Sequence, residues 1–466
     1  MTRGRWAGAI LSCVVLTHCA SVPNPSELAE QRAQVRSAQQ SGDQGYRESR
    51  KIIERTGDAH KSDFLRYHLD VEEAVSQEPL SSGNQVRLLT DGPATYRAMQ
   101  RAIQQARDYV RMETYIFDDD EVGNLFADLL IERAQAGLDV AVMVDAIGTL
   151  TVSEEMFARM RDAGISVVVF NPVNPLAAKA GWSLNERSHR KILVADGDVG
   201  FVGGINVSGV YASSALLSSG RRSGAEQAEQ QGGGDDAPWR DTHIEIRGPA
   251  VARIDEVFVQ GWAEQGGPAL AERRNLDQIS KPGPLHVRII ANRPGDKDGY
   301  SVYLTLMSAI QSAQKSIYIT MAYFAPDPAF IQALQEAAQR GVDVVMVLPG
   351  FTDSKLVLHA GRSHYTSLLE AGVKIHERRD ALLHAKTLVV DGVWSTVGSS
   401  NLDWRSFALN HEINAVILGS DFGGQMEAVF ERDVQASEAV TLEEWRARGL
   451  GDRFMEGFSR LFERWL

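Results

Sequence analysis

The sequence predicts an α/β fold: two duplicated α/β/α sandwich units packed around a pseudo-two-fold axis, with one active site at the seam. Three observations carry that expectation. From Gln85 onward, short β-rich runs alternate with amphipathic helical stretches, the signature of a layered α/β architecture. The pattern then occurs twice: Tyr109 to Phe117 parallels Ser316 to Phe324, and Gly137 to Val144 parallels Gly341 to Leu348. In matching places of both copies stands His-x-Lys-x(4)-Asp, as His189, Lys191 and Asp196 and again as His384, Lys386 and Asp391.

The amino terminus reads as an export signal over residues 1–19, with Arg3 and Arg5 before an apolar run from Trp6 to Leu16 that is too short to span a bilayer. Leu16-Thr-His-Cys19-Ala-Ser21 resembles a lipoprotein box, although His18 replaces the usual small residue. The expectation is a chain exported and anchored to the envelope by a lipid on Cys19; an ordinary signal peptide or uncleaved anchor is the alternative. Residues 20–84 read as a polar linker followed by helices, with Ile52, Ile53, Phe64, Leu65 and Leu69 at helical spacing.

The first repeat is expected over 85–268 and the second over 282–438. Residues 213–238 interrupt the first with Ser-, Gly-, Glu- and Gln-rich sequence, a composition too poor in apolar groups to offset its ordering entropy, so a disordered surface loop is expected there. Residues 439–466 read as a C-terminal amphipathic helix whose stripe is Phe454, Phe458, Leu461, Phe462 and Trp465. Such stripes generally face a core; contact with a membrane interface is the alternative. A second interfacial candidate is the loop from Asn171 to Trp182, with Leu176 and Trp182 beside the first motif.

Each motif is placed on a strand, Arg190 to Ala195 or Ala385 to Val390, whose two-residue period sends His and Lys to one face. With Lys and Asp each at about one position in twenty, a chance match at a given His is roughly 1 in 400, so one motif is weak and two in register are strong. The flanks agree as well. Seventeen residues after each His comes an Asn ending a Gly-rich turn, Asn206 or Asn401, and an acid, Asp241 or Glu412, opens the strand that follows.

These residue types suit a phosphodiester. An in-line displacement needs a nucleophile, cations for the equatorial oxygens and a proton for the leaving alkoxide. Two histidines supply nucleophile and acid, two lysines and two asparagines supply stabilisation, and a carboxylate orients each imidazole so that the attacking nitrogen keeps its lone pair. Each half alone has part of that set, which is the reason to expect one shared site. Asp196 and Asp391, each before a glycine, read as turn-tying residues.

Other chemistries find little support. The formal net charge of −13 repels polyanions, so no nucleic-acid partner is expected. Cys13 and Cys19 are the only cysteines, leaving no thiol for a zinc site, and no metal or other cofactor is expected. His376-Glu377 and His411-Glu412 lack a second His at metalloprotease spacing, and no G-x-S-x-G elbow is present.

At these residues the sequence resembles the phospholipase D superfamily from about Gln85 to Leu466, and within it the bacterial cardiolipin synthases. The similar stretches are Asn185-x-Arg187-x-His189-Arg-Lys191, Gly203-Gly-Ile-Asn206, Trp239-Arg-Asp-Thr-His243 and Gly398-Ser-Ser-Asn-Leu-Asp-Trp-Arg-Ser-Phe-x-Leu-Asn410. The resemblance implies a metal-independent, two-step transfer: a phosphatidyl group passes to a histidine and is then taken by the hydroxyl of a second lipid, typically another phosphatidylglycerol. It also implies His189 as nucleophile and His384 as general acid. Phospholipid substrates at a membrane surface and a monomeric active unit are expected. A hydrolase releasing phosphatidic acid and a non-catalytic lipid-binding envelope protein are the alternatives.

Overall fold

The computed structural model describes residues 78–174, 183, 185–212, 237–271, 280–294 and 300–463. Cys19 and the export signal, the linker to residue 77, Leu176 and Trp182, residues 213–236 of the insertion, and Trp465 lie outside the described residues.

The first repeat runs β1 (Ser81–Leu89), α1 (Gly92–Gln105), β2 (Tyr109–Thr114), α2 (Glu121–Gln135), β3 (Asp139–Asp145), α3 (Glu154–Asp162), β4 (Ser166–Phe170), β5 (Arg187–Ser188), β6 (Ile192–Ala195), β7 (Val199–Gly203), β8 (Trp239–Arg240), β9 (His243–Arg247) and α4 (Ala250–Glu264). The second runs β10 (Leu285–Asn292), α5 (Ser301–Ser312), β11 (Ser316–Met321), β12 (Phe324–Ala325), α6 (Pro328–Gln339), β13 (Asp343–Pro349), α7 (Lys355–Arg362), α8 (Tyr365–Glu370), β14 (Lys374–Arg378), β15 (Leu382–Leu383), β16 (Lys386–Val390), β17 (Trp394–Gly398), β18 (Leu402–Asp403), α9 (Trp404–Ala408), β19 (Asn410–Leu418) and α10 (Ser420–Gln435). The chain ends in β20 (Ser437–Val440), α11 (Leu442–Ala447) and α12 (Leu450–Arg460).

One continuous sheet carries both repeats. Its first half reads β4-β3-β2-β6-β7-β9-β1 and its second half β10-β19-β17-β16-β11-β13-β14, with β20 at the edge. Read outward from the central antiparallel pair β1–β10, the two halves present equivalent strands in the same order. That is the pseudo-two-fold axis in strand order. Helices start where the sequence supplies caps: Asp91, Asp120 and Asp327 accept from the backbone N–H three residues on, at Ala94, Gly123 and Phe330.

On one face of the sheet, α1, α2 and α3 bury Met99, Phe126 and Phe157 in the first repeat, and α5, α6 and α8 bury Leu306, Phe330 and Leu368 in the second. On the other face a shared core gathers Val251 and Ile254 of α4 with Phe422 and Met426 of α10 and with strand residues of both repeats. Each repeat is therefore an α/β/α sandwich, and the shared core continues across the axis. That continuity fixes the halves against each other.

The C-terminal segment differs from expectation. Arg448 and Gly449 divide it into two helices, and the apolar stripe of the second faces outward: Phe454 is 71% exposed and Leu461 75%. The inward positions of α12 are instead Glu456 and Ser459; Glu456 is held by Arg448, in the linker just before the helix.

Candidate active site

The motif histidines sit where the chain changes strand partners. The strands expected from Arg190 and Ala385 begin instead at Ile192 and Lys386, because the residues just before pair with the opposite repeat. Arg187 and Ser188 of β5 pair in parallel with Asn410 and His411 at the start of β19, and Leu382 and Leu383 of β15 pair in parallel with Trp239 and Arg240 of β8. One residue further along each ladder, the register sets His189 against Glu412 and His384 against Asp241. The His189 N–H donates to the His411 carbonyl at 2.9 Å and the His384 N–H to the Arg240 carbonyl at 2.8 Å.

The dyads are thus exchanged between repeats. His189 Nδ1 lies 3.1 and 3.2 Å from the two carboxylate oxygens of Glu412, and His384 Nδ1 lies 2.7 Å from Asp241 Oδ2. With each Nδ1–H donated to a carboxylate, Nε2 carries the free lone pair. The two rings meet edge to face with centroids 6.5 Å apart and planes at 74°, close enough for one phosphoryl group to be shared between them.

Salt bridges brace this arrangement. Arg240, next to Asp241, makes a bidentate pair with Asp433 of α10, its Nε at 2.9 Å and its Nη2 at 2.8 Å. Arg187 donates to the Asn171 carbonyl at 2.9 Å and sits 3.6 Å from Asp145. Ser188 N–H donates to Asp145 at 2.9 Å. All of these side chains are buried.

Lys191 Nζ donates to the His189 carbonyl at 2.6 Å, and Lys386 Nζ makes the equivalent bond to the His384 carbonyl. Among the described residues each makes this one bond, which leaves two N–H groups of each ammonium for a phosphate. Burial holds Lys191 down to about 7 and Lys386 down to about 8. Burial, together with the two lysine charges, also keeps both imidazoles below the ordinary histidine range.

The two carboxylates differ. Burial pushes Asp241 up to about 6, although Lys386 and the Thr242 amide oppose it. Burial acts on Glu412 in the same sense but is outweighed by His189, Lys191 and the Ser399 hydroxyl, which hold it below the usual carboxylate range. Ser399 donates to Glu412. At the matching position of the first repeat stands Gly204, where a Cβ would fall 2.2 Å from Asp241 Oδ1.

The remaining motif residues divide. Asp196 accepts from the backbone N–H groups of Arg107, Asp108 and Tyr109 at 2.8–2.9 Å, and Asp391 from those of Gln314, Lys315 and Ser316. Both have φ near +55°, a left-handed turn conformation that Asp tolerates. Asn206 departs from the stabilising role expected of it. Its Oδ1 accepts from Ile116 N–H at 3.1 Å and its Nδ2 donates to the Tyr211 hydroxyl at 3.0 Å, so it reaches His384 through Tyr211, whose hydroxyl is 3.3 Å from Nδ1. Asn401 is buried, and its Oδ1 has no hydrogen-bond partner among the described residues.

Aromatic walls complete the site. Tyr115 packs edge-on to His189 at 5.4 Å, while Trp239, Tyr211 and Tyr323 surround His384 at 5.0, 6.0 and 6.4 Å. Motif spacing does not single out these tyrosines. Tyr115 and Tyr323 do fall just past the carboxyl ends of the equivalent strands β2 and β11, where open α/β sheets bind ligands. Among the described residues no three His, Cys, Asp or Glu side chains gather into a metal-holding group.

A model described as "Cardiolipin synthase, PLD-like domain" matches residues 99–214 and 306–434, once on each repeat. The cardiolipin synthase of Geobacillus sp. (strain WCH70) is 35% identical over 396 residues, covering 84% of this chain and 74% of the relative. The chain belongs to this family of phospholipase D-like cardiolipin synthases. Cardiolipin synthase 2 of Bacillus cereus is 33% identical over 405 residues, 86% of this chain and 74% of its own. Among solved structures, phosphatidylserine synthase of Haemophilus influenzae Rd KW20 superposes with a TM-score of 0.64 at 14% identity, over 86% of this chain and all of that one. That likeness shows the fold. With the family comes the enzyme class: a phospholipase D-type phosphatidyltransferase.

Proposed function

We propose that the chain joins two phospholipids by moving a phosphatidyl group through His189, with phosphatidylglycerol as donor and acceptor. The observation that carries this reading is the pair of exchanged dyads facing across 6.5 Å, flanked by two buried ammonium groups. In the first step His189 Nε2 attacks phosphorus, the bond from phosphorus to the head-group oxygen breaks, and that oxygen takes the proton of His384. In the second, His384 removes the proton of the acceptor hydroxyl, whose oxygen attacks phosphorus and displaces His189.

The asymmetry of the carboxylates supports this division of labour. Glu412, held anionic, stabilises the positive charge that His189 acquires on phosphorylation. A bound phosphate supplies the negative charge that lets His384 carry its proton. The tyrosines and Trp239 exclude water from the imidazoles and so favour a lipid hydroxyl as acceptor.

Incubation with phosphatidylglycerol vesicles followed by lipid mass spectrometry tests the proposal. Cardiolipin and glycerol are the expected products. Phosphatidic acid alone would make the chain a hydrolase, and no product from several phospholipids would make it a non-catalytic binder.

A further inference from the structure

Helix α12 is turned inside out relative to a helix that packs on a protein core. Its buried side chains are polar: Glu456, 4% exposed, is gripped by Arg448 at 2.9 and 2.6 Å, and Ser459 is fully buried. One turn on, Glu463 pairs with His364, just past the end of α7. The opposite face carries Leu450, Phe454, Phe458, Leu461 and Phe462, none of which joins a hydrophobic cluster among the described residues. The three phenyl rings run in a row, with centroids 6.5 and 5.2 Å apart. An outward apolar row on a helix clamped by its polar side is stable in water only if something apolar meets it.

The position of α12 says what meets it. It packs on α7, and α7 packs on β12. The residue before β12 is Tyr323, whose ring edges His384 and whose hydroxyl donates to Asp353, two residues before α7 begins. One run of contacts therefore joins the apolar row to the wall of the site. Arg453 and Arg460, exposed and seven residues apart, border the row on one side, where they suit anionic head groups. Resting on the phospholipid-transfer reading above, we infer that α12 lies in the interface of a bilayer containing anionic phospholipid and brings the mouth of the site to the lipid.

Cys13 and Cys19 are the only cysteines, so the full chain carrying Cys13→Ala, Cys19→Ala and Phe454→Cys takes a single environment-sensitive fluorophore and carries no lipid on Cys19. Its emission is expected to shift to the blue with phosphatidylglycerol-containing vesicles and less with phosphatidylcholine alone. In the Cys13→Ala, Cys19→Ala background, Phe454→Ser, Phe458→Ser and Leu461→Ser together are expected to lower co-sedimentation with those vesicles about tenfold or more, since three large apolar side chains leave the interface. Emission already blue without vesicles and unchanged by them would mean that residues 1–77 or a second copy covers the row, and would overturn the inference. So would emission of a water-exposed probe that vesicles leave unchanged. Neither readout needs turnover, so a chain that docks but forms no transfer product would sink the functional reading alone.

Discussion

Glu412 and His189 stand 223 residues apart in the chain, one in each repeat, with carboxylate oxygens 3.1 and 3.2 Å from the imidazole Nδ1. Asp241 and His384 repeat the relationship in reverse at 2.7 Å. Neither repeat owns a complete dyad. The active site is therefore a property of the seam, and damage to either half should disable both imidazoles' functions.

Glu412→Gln and Asp241→Asn keep the shape but remove the charge that fixes the tautomer. Each is expected to lower turnover by about a hundredfold or more. Combined with His189→Ala, Glu412→Gln should add little further loss, because the two act as one unit. Steady-state kinetics of the single and double variants check this; additive losses would separate the two residues.

The two carboxylates should also respond differently to their neighbours. Ser399→Ala removes a hydroxyl donor from Glu412, so the midpoint of the Glu412 carboxylate in difference infrared spectra is expected to move to higher pH, while the acid limb of activity, set by Asp241, stays in place. Gly204→Ala drives a methyl group onto Asp241, and the overpacking should push the carboxylate off His384. Activity then falls as far as in Asp241→Asn, while circular dichroism shows the fold retained.

Activity should be greatest in a narrow window around neutrality. For free enzyme, kcat/KM is expected to fall above pH 7 to 8 as Lys191 and Lys386, held down by burial, lose their protons. An anionic phosphate keeps those protons on, so the alkaline limb of kcat should lie at higher pH than that of kcat/KM. On the acid side, Asp241 takes up a proton near pH 6 and stops accepting from His384. The linkage signs follow. Between about pH 4 and 6 the folded chain holds a proton on Asp241 that the unfolded chain lacks, so this group's contribution to stability declines as pH rises. Lys191 behaves oppositely: from about pH 7 to 10 the unfolded chain holds the extra proton, and stability rises with pH. Titration of the unfolding midpoint against pH, in wild type and in Asp241→Asn, tests the first sign.

Much of the design is legible in the sequence. The duplication and the paired motifs follow from spacing, and aligning the halves picks out both acids, although neither opens its strand: Asp241 lies two residues before β9 and Glu412 is the third residue of β19. What spacing does not reveal is which acid serves which imidazole, because that depends on β5 and β15 leaving their own repeat for two residues to pair across the seam. The same excursion explains why the motif strands begin later than period-two reasoning places them. Asn206 illustrates a different limit: its position in the repeat matches Asn401, yet Tyr211, adjacent to the insertion, takes up its carboxamide. The stripe of α12 is visible as periodicity, but periodicity cannot tell an inward apolar face from an outward one. Here the polar pairs Arg448–Glu456 and His364–Glu463 turn the polar side inward.

Asp196 and Asp391 belong to the motif by spacing but to the scaffold by contact. Asp196→Ala is expected to destabilise the fold by about 2–3 kcal/mol, since three backbone N–H groups lose their acceptor. Turnover per folded molecule should stay within a few-fold of wild type. Thermal unfolding beside active-site titration measures the two effects separately.

The most direct measurement is rapid quenching of the enzyme with phosphate-labelled phosphatidylglycerol, followed by peptide mapping of the labelled histidine. One label per chain, on His189 and absent from His189→Ala, is the predicted result. Label on both His189 and His384 of the same chain, or a stoichiometry near two, would mean that the imidazoles act at separate phosphates and would contradict a single site built by both repeats.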